Sequence, residues 1–153
     1  MTLAGTFTFA GPPMAVWDLL QDPAALAKAL PGTKTLTKSA ADRYDGVMSV
    51  SIGPVTAAEF AVTVTLKDQT PTSHVTLQIE GKGGVGHVRG IASVDLADSP
   101  NRETTMTYSS DVLVGGRIAA VGQRLIESAA RMMMRQALDA LNAELQARAK
   151  AGA

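Results

Sequence analysis

The 153-residue sequence contains no cysteine. Disulfides, thiolate metal sites and a cysteine nucleophile are therefore excluded. Aromatic residues make up only 4% of the chain, so a core has to be assembled from aliphatics, alanine and methionine. Neither sign of charge prevails: fourteen Lys and Arg balance fourteen Asp and Glu. That leaves no basic footprint of the kind nucleic-acid binding demands. No apolar run reaches the length of about 18 residues at which a stretch reads as membrane-spanning. The N-terminal MTLAGTFTFAGPP lacks a basic segment followed by an apolar one, so no secretory signal is read there. The expected location is cytoplasmic.

What is present is globular. Hydrophobic residues account for 46%, and the length favours one domain over residues 1–153. LAGTFTF alternates, with Leu3, Gly5, Phe7 and Phe9 on one side, and reads as a strand. Pro12-Pro13 then opens a short helix whose Val16, Trp17 and Leu20 share a face. Asp22 as N-cap, Pro23 behind it and Pro31-Gly32 as the stop delimit a second short helix.

From Thr33 to Val114 the pattern is of period two. Tyr44, Met48, Val50 and Ile52 share a face, as do Phe60, Val62, Val64 and Leu66. Val75, Leu77 and Ile79 follow, then Val88, Ala92, Val94 and Leu96, then Met106, Tyr108, Val112 and Val114. Turn signals separate the runs (IGPV, DQTPTS, GKGG, ADSPNR). One buried and one wet face is the mark of an antiparallel meander.

From about Arg117 to Arg148 the spacing becomes helical. Counted at 100° per residue from Ile118, a common face holds Gly122, Leu125, Ile126, Ala129, Met132, Met133 and Ala140. Arg124, Glu127, Ser128, Arg131 and Arg135 lie opposite. Gly115-Gly116 turns the chain from the last strand into this helix, with Gly116 at its N-cap. Gly122 and Ala129 are read as small residues that leave room against a sheet. Met132 and Met133 straddle the apolar stripe, with Met134 at its border. One apolar sheet face and one apolar helix stripe bury each other most simply when the helix lies across a curved sheet. The expected fold is thus α+β, a helix grip: a curved seven-stranded antiparallel sheet around a long C-terminal helix, with two short helices after strand one.

The chemical motifs are sparse. GKGGVG fits the spacing of a dinucleotide loop, but a strand follows it where a helix is required, so it reads as a turn. His74 and His87 have no neighbour at metal-ligand spacing and read as surface residues. Asp45, Glu59, Glu80, Asp95 and Asp111 all fall on outward faces, which leaves no paired carboxylates for acid/base work. Hence neither catalytic nor metal-ligating residues are assigned. The inward polar groups, Tyr44, Tyr108, Ser110 and the indole of Trp17, are suited to hydrogen-bonding a ligand carbonyl.

Four stretches together, PPMAVWDLLQDPAALAKALPG, VSIGPVTAAEFAVTVTLKD, GKGGVGHVRGIASVDL and TMTYSSDVLVGGRIAAVGQRLI, resemble the family of the carbon monoxide dehydrogenase G subunit, within the START-like, polyketide-cyclase-like (SRPBCC) helix-grip superfamily. The likeness runs from about Leu3 to Leu145. It implies an apolar cavity under the long helix and an accessory role rather than an enzyme. It also implies a molybdenum hydroxylase of carbon monoxide dehydrogenase type as partner and peripheral contact with the inner face of the membrane. The implied ligand is an apolar, lipid-like one, a quinone held non-covalently. Matched by position, Trp17, Asp22, Pro23, Pro31 and Gly32 form the cavity rim, and Gly115, Gly116, Ile118, Gly122 and Leu125 the closing junction. With the faces above, the expected lining is Trp17, Leu20 and Leu30 from the short helices and Tyr44, Phe60, Leu77, Ile79, Met106 and Tyr108 from the sheet. Ile118, Gly122, Leu125, Ile126, Ala129, Met132 and Met133 complete it from the helix side. The competing expectations are a cyclase- or hydrolase-like enzyme of the same fold, or an assembly factor with a vestigial cavity.

Overall fold

The computed structural model describes residues 1–152. The chain runs β1 (Thr2–Phe9), α1 (Pro13–Leu20), α2 (Pro23–Ala29), β2 (Thr33–Ala40), β3 (Arg43–Ile52), β4 (Val55–Thr70), β5 (His74–Gly83), β6 (Gly86–Ser99), β7 (Glu103–Gly115), a 3-10 helix η1 (Arg117–Val121) and α3 (Gln123–Ala151). The strands form one sheet in the order β1-β7-β6-β5-β4-β3-β2. This is the helix-grip arrangement expected from the period-two runs.

The register explains why those runs were readable. Leu66, Leu77, Ala92, Ser110 and Leu3 form one row across five strands. Tyr44, Val64, Ile79, Gly90 and Val112 form the next. Gly46, Val62, Gly81, Val88 and Val114 form a third. All three rows face α3. Irregularities at Thr33/Thr35, Val50/Ile52 and Lys67/Thr70 bend the strands as bulges do and curl this face into a trough.

The five outward acids stay outside. Asp45 is held by Arg43, Ser39 and Thr63, Glu59 by Lys34, Glu80 lies near Arg89, Asp95 meets His74, and Asp111 accepts from Thr2.

The long helix differs from its sequence reading. Arg117–Val121 is 3-10, Gly122 takes φ 102° and ψ 141°, and α3 begins only at Gln123. A phase counted from Ile118 does not survive this junction, because a 3-10 turn advances about 120° per residue and Gly122 leaves the helical region altogether. The buried residues of α3 are Ile126, Ala137, Leu138, Leu141 and Leu145. Met132 is 61% exposed and Leu125 42% exposed, and Ala140 is also exposed. Met134 packs on the core in the place given to Met132. The small residue at 122 is a helix breaker: a side chain there would meet nothing within 4 Å, so it does not face the sheet.

Asp22 ties the C-terminal end of α3 to the rest. Its carboxylate accepts from the Ala24 N–H at 3.0 Å, capping α2. It also accepts from the guanidinium of Arg148, which reaches Glu144 at 3.0 Å as well. The Arg148 hydrogen bond, opposed by partial burial and helped by the Ala24 and Ala25 N–H groups, holds the Asp22 carboxyl below its usual 3.8. A carboxylate depressed in the fold stabilises it above the unfolded value and loses that contribution as pH falls through the folded value. Asp22→Ala is therefore expected to cost about 1 kcal/mol near neutral pH through the lost cap alone. In urea melts at a series of pH values, its deficit against wild type should narrow below about pH 4. A constant deficit would mean that Arg148 contributes nothing through this charge.

Candidate ligand site in the trough under the long helix

Two packed clusters hold the C-terminal helices against the sheet, the first α3 and the second η1. One joins Phe9, Val16, Leu19, Leu96 and Met106 to Leu138, Leu141 and Leu145. The other joins Ala58, Phe60 and Ile118 with valines of β3, β4, β6 and β7 around them. Between them lies a seam that belongs to neither. Its floor is Val64, Leu77, Ile79, Gly90 and Val112, all only half-buried. On α3, Ile126 and Ala137 are buried and Ala129 and Met133 half-buried. The centres of the two clusters are closed by contrast: Phe9, Val16 and Leu19 are fully buried, and Phe60 and Ile118 nearly so.

The inward face is low at two points, one in the floor and one beside the second cluster. Gly81 and Gly90 both sit at inward positions, on neighbouring strands in adjacent rows. A Cβ at Gly81 would meet Val62 and Val88 at 3.8 Å, and one at Gly90 would meet the Asp111 carbonyl at 3.4 Å and Val112 at 3.5 Å. These are ordinary contacts, and neither residue has a positive φ. The backbone therefore does not require glycine there, and its effect is to leave space. Sequence reading passed over both residues. The available signal was glycine at inward positions of otherwise regular strands, where it weakens the strand unless a ligand or another backbone comes close.

The expected lining divides three ways. Tyr44, Phe60, Met106, Ile118 and Ile126 are buried. Trp17, Leu20, Leu30, Leu77, Ile79, Tyr108, Gly122, Ala129 and Met133 are half-buried. Leu125 and Met132 are exposed. Trp17, Leu20, Met106 and Tyr108 belong to or flank the first cluster, so they wall one end of the seam, while Phe60 and Ile118 wall the other. In α1 the fully buried residues are Val16 and Leu19, so Leu19 takes the central place expected of Leu20. Leu125 leans on the β3–β4 turn, where a Cβ at Gly53 would lie 2.8 Å from it.

No charged residue occupies an inward position in the three central rows. The inward hydroxyls are mostly committed. Tyr44 donates to the Gln21 carbonyl at 2.7 Å, Ser110 to that of Leu3 at 3.1 Å, and Thr104 to that of Gly11 at 2.7 Å. Tyr44 and Ser110 are therefore not free to hold a ligand carbonyl, contrary to the sequence expectation. Burial, with the Asp22 charge adding to it, raises the pKa of the Tyr44 phenol, so it stays neutral. Among the described residues, one buried side-chain oxygen lacks a partner, the Oγ1 of Thr33.

The convex face has its own features. His74 Nδ1 lies 2.8 Å from Asp95 and its Nε2 lies 3.2 Å from Thr76 Oγ1. The carboxylate neighbour was invisible in local spacing because it comes from the cross-strand pair His74–Asp95. A wide-mouthed hollow of about 510 Å³ is lined by Lys82, His87, Arg117 and the glycines around them. Its wall is glycine backbone and Val85 beside the side chains of Lys82, His87 and Arg117, so it does not offer the aliphatic wall found in the seam. GKGGVG is a turn between β5 and β6, as expected, and it also fastens η1: Ile118 N–H donates to the Val85 carbonyl at 2.8 Å and Arg117 to that of Gly84 at 2.8 Å. No helix among the described residues is long and apolar enough to cross a membrane.

The same architecture occurs in solved structures. A conserved protein from Geobacillus kaustophilus is 27% identical, with a TM-score of 0.89 and 95% of each chain covered. The ZhuI aromatase/cyclase from Streptomyces sp. R1128 is 15% identical, TM-score 0.72, over 97% of this chain and 95% of that one. A START superfamily protein from Mycobacterium smegmatis is 12% identical, TM-score 0.70, over 95% and 97%. The latter two likenesses establish the fold alone. No curated protein matches. The sequence profile of the carbon monoxide dehydrogenase G subunit (CoxG) matches residues 5–146, a span that takes in the sheet, both short helices and most of α3. The chain therefore belongs to the CoxG family, that of the carbon monoxide dehydrogenase G subunit.

Proposed function

We propose that this protein binds one apolar, lipid-like molecule, a quinone before others, in the seam under α3. In this reading it serves a molybdenum hydroxylase of carbon monoxide dehydrogenase type as a non-catalytic accessory. It takes its ligand from the quinone pool by peripheral contact with the inner face of the cell membrane. The observation that carries the reading is the seam itself: half-buried aliphatics, no inward charge in the central rows, and glycines where side chains would fit. Family membership supports the link to the hydroxylase.

A cyclase-like activity, as the ZhuI name describes for that protein, calls for an acid or base facing the ligand. Here the outward acids are engaged on the convex side and the Tyr44 hydroxyl is bonded to a carbonyl, so no observation favours it. Organic extraction and native mass spectrometry of the purified protein are expected to release one lipid-like molecule per chain, or to show uptake of added quinone. An empty protein that also refuses quinones would overturn the carrier reading.

A further inference from the structure

Three chain reversals meet at one end of the sheet: the β3–β4 turn, the β5–β6 turn and the passage from β7 through η1 into α3. Contacts make them one surface. The Ile118 N–H donates to the Val85 carbonyl at 2.8 Å, and the Arg117 guanidinium to that of Gly84 at 2.8 Å. Leu125 leans over the β3–β4 turn, where a Cβ at Gly53 would lie 2.8 Å from it.

The charge of this surface is one-sided. Residues 51–57, 81–90 and 112–126 hold Lys82, Arg89, Arg117 and Arg124, and no Asp or Glu. The chain as a whole balances fourteen cations against fourteen acids, so the skew is local. The acids that flank these stretches are engaged: Glu59 with Lys34, Glu80 near Arg89, Glu127 with Arg131, and Asp111 with Thr2. Among the described residues, Lys82, Arg117 and Arg124 have no acid within ion-pair distance. All three are exposed, and Lys82 and Arg117 line the hollow of about 510 Å³ together with His87 and glycine backbone.

The same surface also shows apolar groups to solvent. Pro54, Ala119 and Ala120 are exposed, and Leu125 is 42% exposed. Cations interleaved with exposed apolar groups match the interface of an anionic bilayer, where the cations meet lipid phosphates and the apolar groups enter the headgroup layer. An acidic protein could meet the cations, but apolar groups carried on separate turns fit a yielding interface better than a fixed one.

We propose that this end of the molecule rests on an anionic bilayer, with Lys82, Arg117 and Arg124 on headgroup phosphates and Leu125 in the headgroup layer. The inference rests on the carrier reading, to which it adds the place of membrane contact. Ile118 follows Arg117 directly and packs with Phe60 in the cluster that bounds the seam, so the bilayer lies at the η1 end of the ligand site.

The test is co-sedimentation with vesicles of phosphatidylcholine alone and of equimolar phosphatidylcholine and phosphatidylglycerol, with melting recorded for every variant. Wild type should bind the anionic vesicles, leave the neutral ones, and be released by salt. One cation near such a surface accounts for about fivefold in partition, so Lys82→Gln/Arg124→Gln should bind about 25-fold more weakly. Its melting should be unchanged, since neither side chain has an ion-pair partner to lose; Arg117 is kept because it fastens η1. Lys67→Gln/Arg102→Gln removes the same charge toward the opposite end of the sheet and should bind as wild type does. Leu125→Ser should bind about fivefold more weakly through lost apolar contact.

The bilayer assignment is overturned if the two double variants lose binding equally, which makes net charge the cause, or if Lys82→Gln/Arg124→Gln binds as wild type does. It is also overturned if Leu125→Ser changes nothing, or if wild type ignores both vesicles and is retained on immobilised polyglutamate, which gives the face to an acidic protein. Dialysis of wild type against quinone separates this proposal from the one beneath it. Quinone uptake without vesicle binding leaves the carrier reading standing and removes the membrane face. Vesicle binding through Lys82 and Arg124 without quinone uptake keeps the face and removes the carrier.

Discussion

Valine at both Gly81 and Gly90 is expected to leave the protein folded and to abolish its ligand binding. The two residues face the trough in adjacent rows, and a Cβ at either makes only ordinary contacts, 3.8 Å at Gly81 and no closer than 3.4 Å at Gly90. Glycine in a strand interior costs about 0.5–1 kcal/mol relative to alanine, and a β-branched residue suits the pleated surface. The melting temperature should therefore hold or rise. The added methyls project into the seam. One methylene too many in an apolar pocket is worth about 1–3 kcal/mol, or 10–200-fold, so two valines should reduce quinone affinity by about 100-fold or more. Dialysis against quinone, with circular dichroism and melting as the control for folding, decides the matter. Unchanged affinity in a folded double variant would place the ligand elsewhere. The same variant separates a carrier from an assembly factor. If the partner hydroxylase still assembles and still reduces quinone with a filled trough, the seam is not what the partner uses. Gly122→Leu cannot serve here, because residue 122 faces open space and has φ 102°; leucine there would strain the η1–α3 junction and fill nothing.

The sheet was readable from the sequence because each of its faces has one character. Inward positions such as Val62, Val64, Leu77, Ile79 and Val94 alternate with Thr, Gln and charged residues, and the period-two signal is strong when one face is dry. The grip helix was readable as a helix but not in its phase. Hydropathy does not show that Gly122 adopts a positive φ, and one residue out of the helical region shifts every later side chain around the axis. Hence Met134 and Ala137 replaced Met132 and Ala140 on the buried side. Partners across the sheet were beyond local spacing. His74 meets Asp95 through a sequence separation of 21 residues, and the hydroxyls of Thr104 and Ser110 find their carbonyls 93 and 107 residues away. The apolar residues around Trp17 and Phe60, read as lining, pack with the two clusters on either side of the seam.

Within the glycine turn, Gly84 and Gly86 are expected to respond in opposite ways to alanine. A side chain at Gly84 meets nothing within 4 Å, so Gly84→Ala should stay within about 0.5 kcal/mol of wild type, as surface changes do. Gly86 has φ 152°, and its Cβ would run into the Gly115 carbonyl oxygen and stand 2.9 Å from Ile118 Cγ2. The reciprocal position is as tight: a Cβ at Gly116, φ 87°, would lie 2.6 Å from the Gly86 Cα. Two backbones touch here, and neither is the flexible end of a side chain that could swing aside. Strain of about 1–3 kcal/mol for the conformation and about 1–3 kcal/mol for overpacking together give roughly 3 kcal/mol or more. For a chain of this size that is a fall in melting temperature of roughly 6–12 °C. The loss should spread in a defined direction. Ile118 is 3% exposed, is held by the Val85 carbonyl and closes the second cluster with Ala58 and Phe60. Prying Gly86 from Gly115 loosens that hold, so amide exchange at Ile118 and at Ile126, the first buried residue of α3, should quicken before exchange at Leu141 and Leu145 does. Equal, mild effects of the two alanines would mean that the turn merely connects β5 to β6. The expected inequality makes GKGGVG the latch that holds one end of the grip helix over the trough.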